Sequence, residues 1–93
     1  MDKPEVSRRV TIVIEGYLSA AGQDCPTLMP STNLVRDTGL SSDDGVNLVL
    51  DLCTEFDISL PEDFNAAVQD DGKSDRTLDE LVTYIEALTS TQE

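Results

Sequence analysis

The chain has 93 residues, with 19 acidic against 6 basic side chains, a net charge of −13, two cysteines and no histidine. This length fits one domain around a thin hydrophobic core, without a cleft between domains, and the missing histidine excludes Ser/His and Cys/His nucleophilic pairs and removes zinc's commonest nitrogen ligand. The acidic balance repels nucleic-acid phosphate and anionic lipid, and it favours brief docking on basic protein surfaces over a reach of about 10 Å.

From Pro4 to about Ala21, Val6, Val10, Val13, Ile14, Tyr17 and Leu18 recur at the spacing of an amphipathic helix. The stretch from Gly22 to about Ser41 carries Gly22, Pro26, Pro30 and Gly39, a density of breakers that predicts a long loop. Loops of that length in a small domain are functional or held by their own side chains, and Leu28, Met29, Leu34, Val35 and Leu40 are available to hold it.

A second helix is predicted from Ser41 or Ser42 to about Phe56, because serine caps a helix well and Asp43 and Asp44 suit the positive end of its dipole. Leu48, Val49, Leu52 and Phe56 share one face, while Val46 and Leu50 lie on another beside Asp43 and Asn47. That apolar arc exceeds what a surface helix needs, so either the helix is buried on two sides or Val46 and Leu50 face a partner. Gly45 in the first turn costs up to about 1 kcal/mol against alanine.

After Ile58 and Leu60, Pro61 suits the first turn of a short third helix through Phe64, Ala66, Ala67 and Val68. The polar run from Gln69 to Arg76 reads as a loop, and its acidic cluster Asp70, Asp71, Ser74 and Asp75 lacks the alternating ligand pattern of a calcium loop. Thr77 and Glu80 form a capping box for a last helix, whose Leu78, Leu81, Val82, Ile85 and Leu88 repeat to about Thr89; the polar tail 90–93 is expected to fray. The expected fold is therefore all-α: a single four-helix domain with three longer helices, one short third helix and a long first loop, its core spanning about 4–89.

Two cysteines cannot form a disulfide framework, and no signal peptide or long apolar run is present, so a cytoplasmic chain with free thiols is expected. Cys53, between the two apolar faces of its helix, reads as a small buried hydrophobe, and Cys25, in a loop, as exposed.

The segment from Gly39 to Pro61 resembles the signature of the acyl carrier protein family. There a Gly-Leu-Asp-Ser-Leu motif opens the second helix, whose apolar pattern ends in an acidic-Phe pair and an apolar-Pro step. Here Gly39-Leu40-Ser41-Ser42-Asp43 stands at the motif, Val46, Leu48, Val49, Leu50 and Leu52 at the apolar positions, Glu55-Phe56 at the helix end and Leu60-Pro61 at the step, without a gap. Thr32-Asn33-Leu34 is similar to the family's approach to its serine loop, and Thr77 to Ile85 to its last helix. Two positions depart at the site itself: Ser41 stands where the family has aspartate, and Asp43 where it has an apolar residue that meets the modifying transferase.

The resemblance implies a 4'-phosphopantetheine arm, derived from coenzyme A, attached to Ser42 and carrying an acyl group as a thioester. The chain is then a carrier and not an enzyme, since the reactive thiol belongs to the cofactor and the catalytic groups to partners. Those partners are a phosphopantetheinyl transferase and acyl-transfer, synthase or ligase enzymes with basic patches, docking on Asp43, Asp44, Val46, Leu50, Asp51 and Glu55. A cargo groove between the first, second and last helices is expected. The chain is expected to be monomeric, without stable membrane insertion and without nucleic-acid binding. The alternatives are an unmodified acyl-carrier-like adaptor for basic surfaces, and a carrier of aminoacyl or peptidyl groups.

Overall fold

In the computed structural model, which describes residues 2–61, 64–69 and 74–90, the Asp2 carboxylate accepts the Glu5 N–H at 3.1 Å and starts α1, Lys3–Ala20. A side-chain acceptor at that position satisfies one of the helix's orphan donors. Val6, Val10, Ile14 and Leu18, each four residues after the last, form its buried stripe. The helix stops at Ala21 and Gly22, where Gly22 takes a φ of +76°.

The long loop that follows is ordered by short polar side chains. The Asn33 amide oxygen accepts the N–H groups of Val35 and Arg36 at 2.9 and 2.7 Å. The Thr38 hydroxyl donates to the Leu34 carbonyl at 2.6 Å and accepts from the Leu40 N–H at 3.3 Å. These local bonds tuck Leu34 and Leu40 into the core. Main-chain bonds then stitch the loop to the start of the last helix: Leu34 N–H to the Arg76 carbonyl, Leu78 N–H to Thr32 and Asp79 N–H to Pro30, at 2.9, 2.9 and 3.0 Å. Of the apolar residues expected to pin the loop, Leu28 and Val35 pack on the core, but Met29 is exposed.

The other two helices are α2, Ser42–Phe56, and α3, Leu78–Ser90, and α1 packs against both. The capping box expected before α3 is present, with Glu80 accepting the Thr77 N–H at 3.0 Å and Thr77 accepting the Glu80 N–H at 3.2 Å. At the other end of α2, which has no basic residue in its own last turn, Arg9 of α1 supplies the positive charge. Its guanidinium donates to the Glu55 carboxylate at 2.6 Å and to the Glu55 carbonyl, and lies 4.9 Å from the centre of the Phe56 ring. The result is a helical bundle with its core between α1, α2, α3 and the two connecting loops, without a strand among the described residues.

The short helix expected after Pro61 is not found between residues 64 and 69. Phe64, Ala66 and Ala67 are buried, but the backbone donors of this segment are spent elsewhere. The Asn65 amide oxygen takes the N–H groups of Ala67 and Val68, and the Ala66 N–H reaches the Gly45 carbonyl of α2. Gln69 and Ala67 pair with Ser74 and Arg76 across an isolated antiparallel bridge, leaving no ladder for a helix to continue. The acidic stretch 70–73 and the tail 91–93 lie outside the described residues. No helix among the described residues is long and apolar enough to cross a membrane.

Candidate functional site

The first turn of α2 divides its polar tasks between two serines. Ser41 is the cap: its hydroxyl accepts the Asp44 N–H at 3.1 Å, and the Asp44 carboxylate accepts the Ser41 N–H at 2.9 Å. Ser42 is the first helical residue, it is exposed, and no hydrogen bond to another described residue holds its hydroxyl. The turn is anchored on both flanks. On one, the Tyr17 hydroxyl of α1 donates to Asp44 at 2.6 Å. On the other, the Asn65 side-chain N–H donates to the Ser42 carbonyl at 2.8 Å.

Those bonds set the acidity of the site. The Ser41 N–H, then the Tyr17 hydroxyl, hold the Asp44 carboxyl below its ordinary value, while the bond to Asp44 raises the Tyr17 phenol. Asp44 is thus an ionised structural acceptor tied to three donors: Ser41 N–H, Ser41 hydroxyl and Tyr17 hydroxyl.

Gly45, which the sequence suggested was a weak point in the turn, is buried under the segment around Asn65. A Cβ at this position would lie 1.8 Å from the Asn65 amide oxygen and 3.0 Å from the Ala67 nitrogen. Glycine lets the second loop close onto the turn that bears Ser42, a reason of space that its position in the sequence does not reveal.

The residues expected to form a docking face separate into two groups. Asp43 and Asp51 are exposed, and so are Val46 at 53% and Leu50 at 70%. Asp44 is drawn into the cap and towards α1, and Glu55 is drawn towards Arg9. The doubt left by the wide apolar arc is resolved in favour of exposure, because α2 buries Gly45, Leu48, Leu52 and Phe56 and leaves Val46 and Leu50 in solvent.

Beside these exposed side chains lies an open apolar groove of about 320 Å³, lined by Val46, Val49, Leu50, Cys53, Leu60, Pro61 and Phe64. It follows the stripe of α2 that starts at Ser42, since positions 46, 49, 50 and 53 fall on the same side of the helix as 42. At a rise of 1.5 Å per residue it runs from about 6 Å to about 16 Å below the serine. Where a groove was expected between the first, second and last helices, Val10, Ile14, Leu48, Leu52, Leu81 and Ile85 are buried, and an apolar pocket of about 210 Å³ lies between α1 and α3, lined in part by Pro4, Pro30, Leu78 and Val82. A wider depression between α1 and α2 is polar at its rim, bordered by Arg9, Asp51, Thr54 and Glu55.

Cys53 is half-buried on the groove wall, not enclosed in the core, and Cys25 is half-buried in the first loop, where desolvation raises its thiol. Among the described residues no three His, Cys, Asp or Glu side chains are grouped to hold a metal ion. Nothing in the sequence ties Tyr17 and Asn65 to this site; the Ser41 and Asp44 spacing of a capping box is the local signal of how the turn is built. No family model matches the chain, and no solved structure matches it.

Proposed function

We propose that the chain is a carrier of acyl groups, held as thioesters on a 4'-phosphopantetheine arm attached to the Ser42 hydroxyl and delivered to partner enzymes of fatty acid, polyketide or other specialised acyl metabolism. The observation that carries this reading is the division of labour at the start of α2. Ser41 does the capping, which leaves an exposed Ser42 hydroxyl without a hydrogen bond to another described residue.

The surroundings fit a phosphodiester and its cargo. The N-terminus of α2 favours an anion through its unpaired N–H groups and its dipole. The apolar groove on the same stripe offers shelter to an acyl chain, which loses about 0.8 kcal/mol for each methylene left in water. The arm is supplied by coenzyme A. In the transferase reaction the Ser42 oxygen bonds to the pantetheine phosphorus, the pyrophosphate P–O bond breaks, adenosine bisphosphate leaves and the hydroxyl proton passes to a base of the transferase. Asp43 and Asp51, with Val46 and Leu50 between them, suit transferases, synthases and ligases whose docking patches are basic with an apolar centre. The reading includes a cytoplasmic monomer without catalytic groups of its own and a bundle of acyl-carrier type, with the segment after Pro61 in place of the family's short third helix.

A second reading is favoured by one feature of the same turn. Asp43 sets a carboxylate beside Ser42 where the family offers an apolar residue to the transferase, and the exposed Val46 and Leu50 can dock a basic partner without any arm. Intact mass after incubation with coenzyme A and broad-specificity transferases separates the two. Addition of one phosphopantetheine unit, retained in Ser41→Ala and lost in Ser42→Ala, is the outcome expected of a carrier. No addition with several transferases, and none on protein taken from its native host, leaves the adaptor.

A further inference from the structure

We infer that Asn65 is a positioning residue for the modification of Ser42, an inference that rests on the carrier role proposed above. Asn65 is 23 residues from Ser42 in the chain, yet its side-chain N–H donates to the Ser42 carbonyl at 2.8 Å. Its amide oxygen accepts from the N–H groups of Ala67 and Val68 at 2.8 and 3.2 Å. The donors and acceptors around it permit this amide orientation alone, because a flipped side chain would face a carbonyl with an oxygen and two N–H groups with a nitrogen.

The contact has been made at a cost to the helix. It needs Gly45, since a Cβ there would collide with the Asn65 oxygen at 1.8 Å, and a glycine within a helix weakens it relative to alanine. The fold therefore accepts a weaker first turn to bring this amide against the backbone of Ser42. Together with the Tyr17 bond to Asp44 on the other flank, it holds the turn on both sides of a residue whose own hydroxyl makes no hydrogen bond to another described residue. Phosphoryl transfer depends on the alignment of the attacking oxygen with the leaving group, so a rigid backbone under a free hydroxyl presents the nucleophile at little entropic cost.

The test compares wild type, Asn65→Ala and Asn65→Asp as substrates of a broad-specificity transferase with coenzyme A, followed by intact mass at low and high salt, with thermal midpoints by circular dichroism. Aspartate keeps an acceptor for Ala67 and Val68, and in place of the donor to Ser42 it sets a carboxylate oxygen towards the Ser42 carbonyl, so alanine, which removes the donor without adding a charge, is tested beside it. N65D is expected to lose about tenfold or more in kcat/KM, at least the factor one ordinary hydrogen bond supplies, with the loss in kcat and at both salt concentrations, and to melt lower than wild type because two acceptors now face each other. N65A is expected to share that rate loss while melting lower. A wild-type rate in N65D, a loss that merely follows the melting temperature, or a loss that vanishes at high salt overturns the positioning role and leaves the carrier function standing. Wild-type protein that no transferase modifies overturns both.

Discussion

The two sides of α2 carry similar side chains in opposite circumstances. Leu48 and Leu52 are fully buried against α1 and the loops, while Leu50, two residues from each, is 70% exposed and Val46 is 53% exposed. On the inner side every apolar group has partners in the fold, and its burial contributes to stability. On the outer side the same chemistry faces water around an open groove, a contiguous apolar surface that folding alone does not require. The inner side accounts for the fold; the outer side, which begins at Ser42, is where an activity is to be sought.

The largest effect expected from breaking this contrast is on the inner side. Leu52→Ala leaves a cavity in a filled core and should cost about 2–5 kcal/mol, read as a lower urea midpoint with little change in slope. A loss below about 1 kcal/mol would mean that the core is looser than its burial indicates. Gly45→Ala comes next. In an exposed helix this change stabilises, but here the new methyl must displace Asn65 and press on Ala67, so a loss of about 1–3 kcal/mol is expected. In the double variant with Asn65→Ala, the loss should be smaller than the sum of the single losses, because the worst contact has been removed.

These sites also mark where the sequence was legible. The four-residue spacing of Val6, Val10, Ile14 and Leu18 determines α1 because a helix buries one stripe, and that stripe depends on nothing beyond the helix. The ends of α2 and the Thr77 and Glu80 cap were legible for the same local reason. The segment around Asn65 was not: Pro61 and the run of small apolar residues suggest a helix, but its donors answer to Gly45, Ser74 and Asn65 itself, partners that only the tertiary fold supplies. The candidate site was half legible. Ser42 and the outward Val46 and Leu50 follow from register, whereas Asp44 and Glu55 look like free charges until Tyr17 and Arg9 are seen to hold them.

The polar end of α2 offers a smaller effect with a definite sign. Asp44→Asn removes the charged acceptor of the capping box and should cost on the order of 1 kcal/mol at neutral pH. Because the folded Asp44 carboxyl lies below its ordinary value of 3.8, its contribution is complete at higher pH and is lost as pH falls through that value and the lower folded one. Urea midpoints of wild type and variant should therefore differ by a constant amount above about pH 5 and converge towards acid. A gap that stays constant down to acid pH would show that the charge of Asp44 contributes nothing to the cap.

The smallest stability change is expected on the outer side, and it bears most directly on function. Leu50→Ser alters a side chain that is 70% exposed, so the unfolding midpoint should move by no more than about 0.5 kcal/mol. The same substitution removes an apolar contact from the groove wall beside the exposed carboxylates, and under the proposed carrier function modification of Ser42 by a transferase should slow several-fold through a higher KM. Loss of stability on the scale of Leu52→Ala would place Leu50 in the folding core and erase the contrast between the two sides. Unchanged stability together with an unchanged KM would instead show that the transferase does not use this surface, and would confine its recognition to the turn held by Tyr17 and Asn65.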